Sequence, residues 1–254
     1  MPNKSEMQRI VVIPARMGSS RFPGKPLANI AGKSMLAWVV ENAVLAVGQN
    51  NTFVATCDEE IMSEALQLGV QGVKTSPLHE RATDRTAEAV SILESVGAKL
   101  SSVVMLQGDE PTIRADSILA VLNRLEADPS VEIVNLAGPV SSLGEWGDPN
   151  CIKVVARSDG TALYFSRLPI PHITGVEFSL AVKQVCAIGF NLPALRTFAG
   201  MIPTALEESE SIDMLRWLEN GGKVHLEPIH YITHAVDVEQ DIARVEEILQ
   251  NIEN

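Results

Sequence analysis

The chain has 254 residues, 46% of them hydrophobic, which allows one large α/β domain with a sizeable core. Its formal net charge of −12 repels phosphate backbones and excludes nucleic acid as an expected partner. Cys57, Cys151 and Cys186 are widely spaced with no C-x-x-C pattern, so they are expected as reduced thiols rather than a disulfide framework or a metal site.

Residues 1–9 are polar and show no secretory leader. No segment approaches the ~20 apolar residues that span a bilayer, so a cytoplasmic protein without membrane insertion is expected. Residues 9–15 read as a buried strand. It runs straight into a loop of small residues carrying three cations, Arg16, Arg21 and Lys25. Small residues let backbone approach phosphates and the side chains neutralise them, so this loop suits a nucleoside triphosphate. The spacing is neither that of a Walker A loop nor that of a dinucleotide fingerprint.

Ser34 is placed to cap a helix running to about Val47. Strands are predicted at 52–56, 72–75, 102–106 and 131–136, and helices at 59–68, 84–96 and 115–125. This alternation predicts a mainly parallel sheet with helices on both faces. Ligands of such sheets bind beyond the carboxyl ends of the strands, where the polar loops after Ile13 and Leu106 lie. Residues 151–157 and 161–167 read as a hairpin closed by Ser158-Asp159-Gly160. It belongs to an excursion spanning about 139–180 that is suited to dimer formation. A strand near 184–190, helices at 192–199 and 206–219, a strand at 223–228 and a helix at 239–252 follow. That last helix carries a stripe of Ile242, Val245, Ile248 or Leu249, and Ile252.

Two carboxylates stand out. Asp109, in Gln107-Gly-Asp-Glu-Pro111, follows the end of an apolar strand and either reaches a hard cation in the cleft or caps the following turn. Asp237, in His234-Ala-Val-Asp237, either joins it or caps the terminal helix. Two carboxylates beside a cationic phosphate loop suit Mg²⁺-assisted phosphoryl or nucleotidyl transfer, because Mg²⁺ takes one or two carboxylates plus phosphate oxygens and water.

The opening loop, Gln107-Gly-Asp-Glu-Pro111, Pro149-Asn150 with Lys153-Val-Val155, Ala162-Leu-Tyr-Phe-Ser-Arg167 and Val236-Asp237 together resemble the bacterial 3-deoxy-manno-octulosonate (Kdo) cytidylyltransferases. The resemblance runs from about Arg9 to the C-terminus. It implies a single Rossmann-like domain over 1–254 with the nucleotide-diphospho-sugar transferase fold, a homodimer, and a role in lipopolysaccharide biosynthesis. It also implies that Arg16, Arg21 and Lys25 hold the phosphates of CTP and that backbone at Pro14 and Ala15 approaches the cytosine. Thr83 and Arg85 would join the nucleotide site, and Gln107 would contact nucleotide or sugar acid. Asp109 and Asp237 would bind Mg²⁺. Arg167 would face the acceptor's carboxylate, and Glu207 or Glu210 its hydroxyls, although an acidic helix face is an equally good reading of those two.

The chain departs from the family pattern at three places. Cys57 stands in Ala-Thr-Cys-Asp58 where the family reads Ala-Thr-Asp. Arg81 and Ala82 stand where Ser and Gly are usual, and Ala cannot allow the backbone approach that Gly does. Gln184-Val-Cys-Ala-Ile-Gly-Phe190 lacks the family's acceptor-binding His and its Tyr partner, for which His172 is a substitute in reach of sequence reasoning. The expected reaction is CMP transfer from CTP to Kdo with release of pyrophosphate. Its alternatives are the same transfer to another acid (an amino-Kdo, a nonulosonic acid or a phosphonate) and a non-catalytic nucleotide-binding protein.

Overall fold

Alternate side chains of the first strand enter two different cores. In β1 (Gln8–Pro14), Ile10 and Val12 pack on one face of a sheet while Val11 and Ile13 pack on the other, and all four are fully buried. A strand buried on both faces must be central. The computed structural model describes residues 7–19, 21–173 and 181–253. The polar first six residues, Ser20 of the opening loop, 174–180 of the predicted excursion and the Ile252 side chain lie outside the described residues.

After β1 come a small ribbon, β2 (Asn29–Ile30) with β3 (Lys33–Ser34), and helix α1 (Met35–Val47). Ser34 caps α1 as expected, its Oγ accepting the Ala37 N–H at 3.1 Å. The alternating half continues through β4 (Thr52–Thr56), α2 (Glu59–Gln67), β5 (Gln71–Lys74), α3 (Ala82–Ser95), β6 (Leu100–Leu106) and α4 (Ala115–Ala127). Then follow β7 (Ile133–Pro139), the short α5 (Leu143–Gly147), the hairpin β8 (Lys153–Ala156) and β9 (Ala162–Ser166), and the long β10 (Val182–Asn191). The chain ends through α6 (Leu192–Gly200), α7 (Ala205–Glu210), α8 (Met214–Glu219), β11 (Val224–Pro228) and α9 (Asp241–Glu253).

The sheet runs β11-β7-β10-β6-β1-β4-β5, with β8 and β9 attached beside β10. Pairings of β1 with β4 and β6, of β4 with β5 and of β7 with β11 are parallel, whereas β10 runs antiparallel to both β6 and β7. Helices α1, α2 and α4 cover one face, and α3, α6 and α8 the other. Burying each Val, Leu, Ile or Phe side chain contributes roughly 1.5–3 kcal/mol, so the two clusters supply most of the driving force. The hairpin is continuous with the main sheet, because Lys153 and Val154 pair with Lys183 and Val182. Among the described residues no helix is long and apolar enough to cross a membrane.

One predicted helix is two. The stretch 206–219 breaks at Ser211, which takes the left-handed conformation at φ 55°. Nine residues at roughly 100° each would put Glu207 and Arg216 on opposite sides of an unbroken helix. The break instead lets them pair, with Arg216 Nη2 donating to Glu207 Oε1 and Nε to Oε2 at 2.6 and 2.7 Å.

Gly189 of β10 lets α4 sit directly on backbone. A Cβ there would overlap Val121 Cγ1 and lie 2.9 Å from Leu125 Cδ1. Gly189→Ala is expected to lose about 2 kcal/mol of stability by overpacking. Urea denaturation measures it, and an unchanged midpoint contradicts this packing.

Candidate active site

Parallel strands β1, β4 and β6 end at the same edge of the sheet, so the loops after Pro14, Thr56 and Leu106 meet there. Because β10 is antiparallel, with Ala187 opposite Leu106, its first half extends past that same edge. These pieces line a cavity of about 800 Å³. That volume lies in the range of small-molecule sites.

The opening loop is pinned at several points. The Met17 N–H donates to Asp58 Oδ2 at 2.8 Å, and the Gly24 N–H to the Met17 carbonyl at 3.1 Å. Gly24 adopts φ 74°, a left-handed turn that favours glycine, and so directs Lys25 inward. Lys25 Nζ donates to Asp109 Oδ2 at 2.8 Å and to the Val236 carbonyl at 2.7 Å. Arg21 Nη2 donates to Asp237 Oδ1 at 2.7 Å, and its Nη1 to Asn150. Arg16 also lines the cavity, and its exposed guanidinium has no partner among the described residues.

The C-terminal segment reaches this edge through a small third core. Val236, Val245 and Leu249 pack with Ile30 and Met35, and the Val236 N–H donates to the Asp109 carbonyl at 2.9 Å. Asp237 is not the helix cap that its sequence position also allowed. Helix α9 starts four residues later, and Asp241 Oδ2 accepts the N–H groups of Asp237 and Val238 at 2.7 and 2.9 Å. This leaves the Asp237 carboxylate free to point at Arg21. Asp109 caps nothing in the following turn either, since its carboxylate is taken by Lys25.

Charge at this edge is strained. Burial pushes the Asp237 carboxyl above the usual range and the charge of Asp109 adds to the shift, while Lys25 and Arg21 oppose it. Burial first, and Asp109 second, raise Glu110 to about 7. Glu110 Oε1 accepts the Cys186 N–H at 3.2 Å and its Oε2 is buried without a partner. Two carboxylates that repel one another and hold only monovalent cations form the hard-oxygen donor set of a divalent ion. Among the described residues there is no cluster of three or more His, Cys, Asp or Glu, so such an ion would complete its shell from phosphate and water.

Other expected residues divide clearly. Pro14, Ala15, Arg85, Gln107 and Arg167 line the cavity with the loop cations and both aspartates. Arg85 is buried, donating to Thr75 Oγ1 at 2.6 Å. Arg167 is held by backbone: its Nε donates to the Glu210 carbonyl at 2.6 Å and Nη1 to the Pro149 carbonyl at 2.8 Å. Thr83, Glu207 and Glu210 lie outside the cavity lining. Thr83 is fully buried and bonds Asp213, while Glu207 pairs with Arg216. Glu210 accepts from Ser166 Oγ at 2.8 Å and from the Arg167 N–H at 2.9 Å. It therefore acts on the site by fixing Arg167. His172 is exposed and outside the lining.

Several residues here take roles that no local pattern marks. Lys153 is fully buried, and its ammonium donates to the carbonyls of Asp148, Cys151 and Arg167 at 2.7, 2.5 and 2.7 Å. It holds together the Pro149-Asn150 turn and the end of β9. Arg81 lines the cavity but donates to Ser211 Oγ at 2.9 Å. Asp58, Asn150 and Asp241 each brace a loop residue. An Asp four residues after Asp237 was the one local signal for the last of these.

Residues 10–228 match the family described as cytidylyltransferase. The chain belongs to that family. Within it, a 3-deoxy-manno-octulosonate cytidylyltransferase of Anaeromyxobacter dehalogenans is 41% identical over 240 residues, covering 94% of this chain and 96% of that protein. One from Chlamydia felis is 36% identical over 242 residues, with 95% and 94% covered. A solved structure described as CMP:2-keto-3-deoxy-manno-octonic acid synthetase complexed with CTP superposes with a TM-score of 0.85 at 31% identity, covering 96% of this chain and 99% of that one.

Glu207→Gln is expected to leave the buried Arg216 guanidinium with only the looser Asp84 pair at 3.7 Å and to lower stability by about 3 kcal/mol. The substrate KM values should not move, since the pair is outside the cavity. Thermal denaturation with steady-state kinetics checks this, and a selective rise in acceptor KM contradicts it. Burial, reinforced by Glu145, also pushes the Cys151 thiol up to about 12. At mildly alkaline pH, Cys151 should resist iodoacetamide in the folded protein and react in denaturant, as read by peptide mass spectrometry. Rapid labelling of the folded protein contradicts that environment.

Proposed function

We propose that this cytidylyltransferase transfers CMP from CTP to 3-deoxy-manno-octulosonate and releases pyrophosphate. The observation that carries the reading is the meeting of Arg16, Arg21 and Lys25 with Asp109 and Asp237 in one cavity. Full-length relatives named for that reaction support it. The anomeric hydroxyl of the sugar acid attacks the α-phosphorus of CTP, forming a new P–O bond as the bond to the β-phosphate oxygen breaks and a proton is released. Arg16, unpartnered and exposed, meets the triphosphate first. Lys25 and Arg21 exchange their carboxylates for phosphate oxygens and offset charge on the leaving pyrophosphate. Asp109 and Asp237 are thereby released to hold Mg²⁺. Held by these two carboxylates, Mg²⁺ would supply Lewis-acid neutralisation of the phosphates and would lower the pKa of the attacking hydroxyl. Arg167, fixed by Glu210 and Pro149, offers its guanidinium edge to the acid's carboxylate. Positioning accounts for much of the rate, since the chemistry is an in-line displacement.

A second reading is the same transfer to a different acid acceptor. It is favoured by the wall of β10, which presents Gln184, Cys186 and Ile188 to the cavity in a segment lacking the expected His and Tyr. Pyrophosphate release measured with CTP and a panel of acids separates the two. Fast turnover with 3-deoxy-manno-octulosonate supports the first reading, and turnover confined to another acid supports the second. The non-catalytic reading rests on the departures at Cys57 and Ala82 alone, and the full-length relatives named as cytidylyltransferases stand against it. A homodimer is part of the proposal, supported by Leu163 and Leu168, which stand 49% and 68% exposed on and just after β9. A cytoplasmic location fits the supply of CTP.

Asp109→Ala removes one of the two carboxylates and should lower kcat/KM on the order of 10³-fold, since metal-held charge stabilisation is worth several kcal/mol. Continuous pyrophosphate detection measures it. Near-normal activity in that variant contradicts the metal assignment.

A further inference from the structure

The wall contributed by β10 carries one amide whose orientation is set from behind. Gln184 lines the cavity, yet it is only 8% exposed. Its Nε2 lies 2.6 Å from Oδ1 of Asn135, a fully buried residue of β7. Asn135 in turn places Nδ2 at 2.8 Å from the Leu136 carbonyl and 2.9 Å from the Val185 carbonyl. Carbonyl oxygens only accept, so this end of Asn135 must be the donor. Oδ1 then faces Gln184 as an acceptor, and Gln184 must turn its N–H toward it. Reversing either amide would set two acceptors or two donors against each other inside the core, at a cost typical of unsatisfied buried groups.

The consequence falls on the other end of Gln184. Its Oε1 has no protein partner among the described residues and is not enclosed, so it is the part of the amide that remains available to a ligand. Lys183, Cys186 and Ile188, the other β10 residues lining the cavity, offer no comparable acceptor, and the Lys183 ammonium is taken by Glu145 and the Thr233 carbonyl. The wall is also tied to the metal-side loop, because the Gln107 N–H donates to the Cys186 carbonyl at 2.9 Å and the Cys186 N–H to Glu110.

We propose that Gln184 is a specificity-determining residue for the acid acceptor. Its Oε1 accepts a hydrogen bond from a hydroxyl of the sugar acid, and Asn135 is the positioning residue that fixes the polarity of that amide. The inference rests on the cytidylyl-transfer reading above. It selects a polyhydroxylated acid over one with an apolar or acceptor-only tail, and it leaves the CTP side untouched.

The test is pyrophosphate release by the intact enzyme with CTP, Mg²⁺ and 3-deoxy-manno-octulosonate. Gln184→Met keeps the volume and removes the acceptor. It should raise KM for the acid about tenfold, at the upper end for one neutral hydrogen bond, and leave KM for CTP within about twofold. An unchanged acid KM overturns the proposal. Asn135→Ala should raise the acid KM in the wild-type background and add nothing further on top of Gln184→Met. Equal penalties in both backgrounds overturn the positioning role. Should Asn135→Ala not fold, the KM split of Gln184→Met still decides for Gln184. Absence of wild-type turnover with this acid would instead overturn the reading on which the inference rests.

Discussion

Two carboxylates face one cavity and neither has the site to itself. Asp109 and Asp237 repel one another, and each is quieted by one cation of the opening loop. Much of the surrounding architecture serves that arrangement. Asp58 and the left-handed Gly24 fix the loop so that Lys25 points inward. The third core, around Val236 and Val245, carries the C-terminal segment across the sheet edge and presents Asp237 to Arg21. Among the described residues both carboxylates are held in ion pairs, while Arg16 lines the same cavity without a partner.

The two pairs differ in a way that matters for entry. Lys25 is 13% exposed and also donates to a backbone carbonyl, whereas Arg21 is 50% exposed. An exposed pair contributes little net stability, because solvent screens it and long side chains lose entropy in forming it. Arg21 is therefore the member that opens at small cost, while Lys25 is held more firmly by its second bond to the Val236 carbonyl. Farther along the cavity the logic changes from charge to hydrogen bonding. Lys153 cages three carbonyls, Glu210 and Pro149 immobilise Arg167, and Asn135 orients Gln184. Each of these groups acts by fixing a neighbour.

What the sequence displays and what it hides follow from distance along the chain. A continuous apolar run makes β1 legible, and Ser34 marks the start of α1, because both signals are local. The cationic composition of the opening loop is legible for the same reason. The Lys25–Asp109 and Arg21–Asp237 pairs join positions 84 and 216 residues apart, and no periodicity encodes them. The break at Ser211 is hidden because a non-glycine residue at positive φ leaves no compositional mark. Glu207 looks like part of a solvated acidic face and is instead among the most buried charges. The antiparallel course of β10 is likewise invisible to a reading of alternating strands and helices, yet it forms one wall of the cavity.

The central claim is that the cavity joins CMP to an acid and expels pyrophosphate. Phosphorus NMR of wild-type enzyme with CTP, Mg²⁺ and 3-deoxy-manno-octulosonate tests it most directly. The account predicts that the α-phosphorus of CTP becomes a phosphodiester resonance while pyrophosphate grows in equal amount, and only when both acid and metal are present. Unchanged CTP, or its conversion to CDP and phosphate regardless of the acid, would contradict it.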